Sequence, residues 1–194
     1  MLIYTDVEPT PEDVEFWRDS ETYNNYENYC CQTKERIKQD PKFAFKYAEK
    51  LGGLPQEWEK VFLKSPEYAF YYSYFVRHKK LNPNIEIVFA QSAEWAYKYA
   101  RNVRGKLPKK IEKAFLKCPE YALKYAQLTG RLEEKIEAVF LKNCEFAYLY
   151  AKEIIKGKFS KKIHNALFLK LSFEKNYEAD RIYLEQYFND FSER

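Results

Sequence analysis

Two histidines, four cysteines and several glutamate pairs are the residues of this 194-residue chain whose side chains could support acid–base, nucleophilic or metal chemistry. Acid–base catalysis needs a titratable group within reach of a partner, and metal binding needs clustered His and Cys ligands. His78 falls in a turn and His164 on the outer side of a helix, each without an acid or nucleophile at useful spacing, which predicts surface residues. Cys30 and Cys31 are adjacent rather than spaced as a redox or zinc pair, while Cys118 and Cys144 lie at helix starts, so four free thiols and no metal are expected. Glu57 with Glu59, and Glu133 with Glu134, sit among lysines in slots that predict solvent-facing charge support for a helix start. The chain has no phosphate-cradling glycine loop, Gly-x-Ser-x-Gly, His-Glu-x-x-His or kinase-like set. These residues predict a non-enzymatic protein without a cofactor.

Hydrophobic residues make up 46% of the chain and aromatics 19%, enough for a sizeable core and too many for a disordered chain. No apolar run approaches the roughly 18 residues of a membrane span, so no membrane partner is expected. The first residues lack a basic stretch followed by an apolar one, which predicts a cytoplasmic protein with reduced thiols.

Sliding the chain against itself shows five copies of one unit, beginning at Asp40, Ser65, Ser92, Cys118 and Asn143. Each opens with a small capping residue, then Pro41, Pro66, Ala93, Pro119 or Cys144, a helix-start pattern in which Cys118 is the weak cap. An aromatic followed by alanine comes next, at Phe43, Tyr68, Trp95, Tyr121 and Phe146. Four residues further lies a tyrosine followed by a small residue, at Tyr47, Tyr72, Tyr99, Tyr125 and Tyr150. This spacing places both pairs on one helical face and predicts core. Turns at Gly52-Gly53, Asn82-Pro83, Gly105, Gly130 and Gly157 then lead to a second helix with its own apolar stripe, for instance Leu81, Ile85, Val88 and Phe89. Two helices of about ten residues are too short to stand alone, so stacking on neighbours is required. The expected fold is all-α, an α-solenoid-like array of five two-helix repeats over residues 40–170. Residues 1–39 form a divergent N-terminal cap and 171–194 a C-terminal capping helix, in a single domain. Leu2-Ile3-Tyr4 is expected to pair as an edge strand or simply to pack.

Segments such as 119–140 and 145–168 resemble a tandem repeat of phage and prophage proteins, in which a Tyr-Ala, Tyr-Ala, Gly pattern recurs about every 25 residues. The likeness covers roughly residues 40–170, with the repeat's Trp-Pro-Glu element softened to Leu107-Pro108, Leu132-Glu133 and Phe159-Ser160. It implies an α-helical fold and a viral or mobile-element origin, and it transfers no catalytic residue.

Charge is divided unevenly along the chain, with residues 1–40 at net −6, residues 41–170 at +13 and residues 171–194 at −3. Because repeats place equivalent residues in ladders, the basic inter-helix turns predict a positive edge, set against the alternative of an ordinary solvated face. The candidate binding residues are Arg77, Lys79, Lys80, Lys98, Arg101, Arg104, Lys106, Lys109 and Lys110. Tyr71 and Tyr74 join them, as stacking groups or as filling between hairpins. The expected function is a macromolecular interaction module. With the phage resemblance, it becomes an inhibitor or adaptor that binds a host protein such as a CRISPR effector. A nucleic-acid-binding repeat protein and a sequestering protein for a small anion are the alternatives.

Overall fold

The computed structural model describes residues 33–173 and 178–191, and every element among them is a helix. Most of the expected N-terminal cap, including Leu2-Ile3-Tyr4, Cys30 and Cys31, lies outside the described residues. A short helix over 33–39 precedes five units, each with a leading and a trailing helix. The leading helices are Pro41–Leu51, Pro66–Tyr71 continued by Tyr72–Arg77, Ala93–Tyr99 continued by Ala100–Arg104, Pro119–Thr129, and Cys144–Tyr150 continued by Ala151–Ile155. The trailing helices are Glu59–Lys64, Pro83–Glu86 running into Ile87–Gln91, Lys109–Glu112 into Lys113–Lys117, Glu134–Glu137 into Ala138–Lys142, and Lys161–Phe173. Glu178–Phe191 closes the chain as one further leading-type helix.

The helix starts follow from their capping residues. Asp40 accepts from the N–H groups of Lys42 and Phe43, Ser65 from Tyr68, Ser92 from Trp95 and Asn143 from Phe146. Cys118 makes no capping bond. The stops are less uniform than the glycine pattern suggests. Gly52, Gly105 and Gly130 take positive φ, but in units two and five the left-handed residues are His78 (φ 51°) and Lys156 (φ 53°) rather than Asn82 or Gly157. Asn82 instead caps the trailing helix, accepting from the N–H of Asn84 at 3.0 Å.

The helical continuations in units two, three and five are π turns, and sequence spacing explains them. From the core tyrosine to the first apolar residue of the trailing helix there are seven residues in units one and four, but eight in unit three and nine in units two and five. Units with seven stay α-helical throughout; the longer ones absorb the surplus by widening the last turns. The tyrosines thereby keep one register.

Each leading helix packs on the next leading helix, and each trailing helix on the next trailing helix. At every joint the core tyrosine of one unit reaches into the preceding one. Tyr99 shows the pattern: it is fully buried, its ring stacks on Phe89 at 4.2 Å, its hydroxyl accepts from the Leu81 N–H at 3.1 Å and donates to Glu86 at 2.6 Å. Tyr72 with Leu54 and Glu59, Tyr125 with Leu107 and Glu112, and Tyr150 with Leu132 and Glu137 repeat it. Burial first, then the carboxylate bond, pushes the Tyr72 phenol up to about 12, so the hydroxyl remains a donor at any physiological pH. Glu59, expected at the surface beside Glu57, is therefore corrected to a buried residue with 4% exposure. Its carboxylate is the acceptor that Tyr72 needs.

Removing the hydroxyl leaves a buried N–H and a buried carboxylate short of a partner. Tyr99→Phe should lower unfolding free energy by about 2–4 kcal/mol in a urea titration, summing the loss of two buried bonds, one of them to a charged group. A change below about 0.5 kcal/mol would show that the joint does not depend on the hydroxyl.

Candidate interaction surface

The four buried carboxylates among the described residues need compensation, because an unpaired buried charge is expensive. Three have it. Arg77 Nη1 lies 3.2 Å from Glu59, Arg104 Nη1 lies 3.0 Å from Glu86, and Arg131 Nε lies 2.9 Å from Glu137. Arg77 and Arg104 occupy the fifth position after the core tyrosine, on the π turn, and reach back across the joint; Arg131 approaches from the residue before Leu132. Two members of the expected positive edge are thus turned inward onto carboxylates of the neighbouring unit. Other basic groups are used similarly: Lys64 donates to the carbonyls of Lys38 and Gln39, and Lys142 to that of Leu116, closing the C-terminal ends of preceding helices.

The last joint departs from the pattern. Tyr187 of the closing helix accepts from the Phe159 N–H at 3.2 Å, and its hydroxyl meets His164 Nδ1 at 2.9 Å, in the register where the other units carry glutamate. His164, expected at the surface, is corrected to a half-buried ring with Phe188 edge-on at 5.1 Å. Since the Tyr187 hydroxyl has its own proton to give, the network assigns Nδ1 as acceptor in a neutral ring. Burial, and secondarily Lys158, holds its pKa below the ordinary value. His78 is exposed in its turn, as its spacing predicts.

Of the remaining candidates, Lys79, Lys80, Arg101, Lys106, Lys109 and Lys110 are exposed. Lys109 pairs with Glu133, and Lys98 pairs with Glu94 at 2.6 Å while lying 3.9 Å from the centre of the Trp95 ring. Tyr71 fills the seam between leading helices, half-buried, with Phe45 at 5.8 Å and Trp95 at 5.6 Å. Tyr74 is 41% exposed, stacked on Phe70 at 5.6 Å, and beside it stands Phe75 at 54% exposure. Phe75 carries no repeat signature, because its column is elsewhere occupied by Lys50, Asn102, Leu128 and Glu153. Its only mark in the sequence is that it is the one aromatic of a mixed column.

The two cysteines described differ in character: Cys118 is partly exposed and Cys144 is buried, with burial pushing its thiol up to about 11. No group of three or more His, Cys, Asp or Glu side chains is placed to hold a metal ion among the described residues. Among them, too, no helix is long and apolar enough to cross a membrane. Comparison with protein-family models, curated proteins and solved structures finds no match to this chain.

The His164 joint gives a pH dependence with a definite sign. A folded-state pKa below the unfolded value of about 6.5 means that the joint's contribution is complete above that value and is lost as pH falls through the folded one. Amide exchange in Glu178–Phe191 should accelerate relative to Pro66–Tyr71 as pH falls below about 6.5, and His164→Glu, restoring the repeat's own acceptor, should remove that difference. Equal pH profiles in both helices of the unsubstituted protein would contradict the assignment.

Proposed function

We propose that this chain is a non-enzymatic interaction module that docks a partner protein against the leading-helix face of units two and three. The observation that supports it is the contiguous aromatic patch of Tyr74 and Phe75, exposed beside half-buried Tyr71 and Trp95, with the Lys98 ammonium laid over the indole. Large exposed aromatics grouped in this way are rare on surfaces that meet only water, and aromatic residues with flanking cations dominate binding hot spots. The likeness to phage and prophage repeats makes the partner a host protein, and a defence factor such as a CRISPR effector fits an inhibitor or adaptor acting in the host cytoplasm.

A second reading, nucleic-acid binding, is favoured by exposed Lys79, Lys80, Arg101, Lys106 and Lys110. The two differ in salt response, since phosphate contacts release counterions and an aromatic interface does not.

Tagged protein incubated with bacterial lysate, half of it nuclease-treated, should retain a stoichiometric protein in both halves. The pair Tyr74→Ala and Phe75→Ala should weaken that retention by about tenfold or more, with thermal stability lowered only modestly because both side chains are about half exposed. Retention of nucleic acid alone, weakened steeply by salt and untouched by the aromatic substitutions, would replace the first reading with the second.

A further inference from the structure

The joint between units three and four stands apart from its neighbours in a way that creates a site. Glu112 is 7% exposed and accepts from the Tyr125 hydroxyl at 2.9 Å, but no arginine pairs with it, Arg131 on the same cleft being bound to Glu137. The reason lies in the turn: the fifth residue after the core tyrosine is Arg77 in unit two and Arg104 in unit three, but Gly130 in unit four, where the tyrosine-to-leucine spacing is short and no π turn forms. Glu59, Glu86 and Glu137 each have an arginine within 3.2 Å, whereas Glu112 has no ion pair among the described residues.

Where a guanidinium would lie, Glu112 lines a cleft of about 90 Å³ together with Lys106, Lys109, Thr129 and Arg131. A water's share of liquid volume is about 30 Å³, so the cleft suits a group the size of a guanidinium. Its cationic rim is largely committed elsewhere, Lys109 to Glu133 and Arg131 to Glu137. Lys106 holds the register from which Arg131 reaches its glutamate, yet it is exposed and makes no ion pair with Glu112. An ammonium is more strongly hydrated than a guanidinium and cannot bind a carboxylate in bidentate fashion.

We infer that the Glu112 cleft is a socket for an arginine side chain of a partner protein, which would complete at this joint the carboxylate–guanidinium pair that the other three glutamate joints make internally. This rests on the protein-docking reading and adds to it the chemistry of one contact: a carboxylate pre-oriented by Tyr125, partly desolvated and open on one side, which favours a planar bidentate donor over an ammonium.

The inference is tested on the intact protein with methylguanidinium as probe and methylammonium as control, following the backbone amides of Glu86, Leu107 and Glu112 by NMR. The expected result is a saturable shift of Glu112, at least about tenfold weaker with methylammonium and absent in Glu112→Gln. Arg104→Ala should add a second saturable site at Glu86, an arm that remains decisive if Glu112→Gln does not fold. No saturation at Glu112, a shift that survives Glu112→Gln, or no new site in Arg104→Ala would overturn the socket. Each of these would leave the lysate capture by Tyr74 and Phe75 standing, so the two readings fail separately.

Discussion

A tyrosine hydroxyl shared between a backbone N–H and a buried carboxylate fixes each unit on the one before it. Hydrophobic burial alone would let two short helices slide or rotate against their neighbours, since apolar contact is non-directional. The hydroxyl removes that freedom. It sits where the leading residue of the previous trailing helix presents an unpaired N–H, and it is held there by a ring stack of 4.2–4.7 Å on the phenylalanine of the same trailing helix. The buried glutamate then favours a cation, which the π turns of units two and three supply as Arg77 and Arg104. Core packing, polar satisfaction and surface charge are thus parts of one arrangement repeated along the chain.

Much of this is legible in sequence. Helix starts at Asp40, Ser65, Ser92 and Asn143, the apolar stripes and the stacking requirement all follow from residue type and spacing, because capping and burial are local or periodic effects. The glutamate column is harder. Glu59 reads as solvent-facing beside Glu57 and Lys60, since charge is normally exposed, whereas Glu86 is flanked by Ile85 and Ile87. Two signals point the other way: the column is glutamate in the first four units, and the core ring is always tyrosine while the preceding aromatic varies among Phe, Tyr and Trp. A hydroxyl that is never dispensed with implies a buried partner. His164 occupies that column too, and only its alignment with the glutamates distinguishes it from a surface histidine.

The interaction surface is less legible, for a physical reason. Repetition reveals what all units need, and a binding site is what one unit does differently. Phe75 exposes an aromatic ring that no other unit has in its column, and Gly130 stands where units two and three carry the arginine that Glu112 lacks. Arg77 and Arg104, conversely, look like exposed ladder members and are spent on internal pairs. In an array of near-identical units, deviation is informative only after the shared arrangement is known.

The π turns have an effect on how such a chain can change over time. An insertion of one or two residues near the end of a leading helix widens the helix locally and stops there, as units two, three and five show by holding their tyrosines in place with spacings of nine, eight and nine. Length variation is thereby confined to the turns and does not propagate into the joints. Turns can gain, lose or exchange residues while each joint keeps its hydrogen bonds, so the length differences among the units collect in the turns.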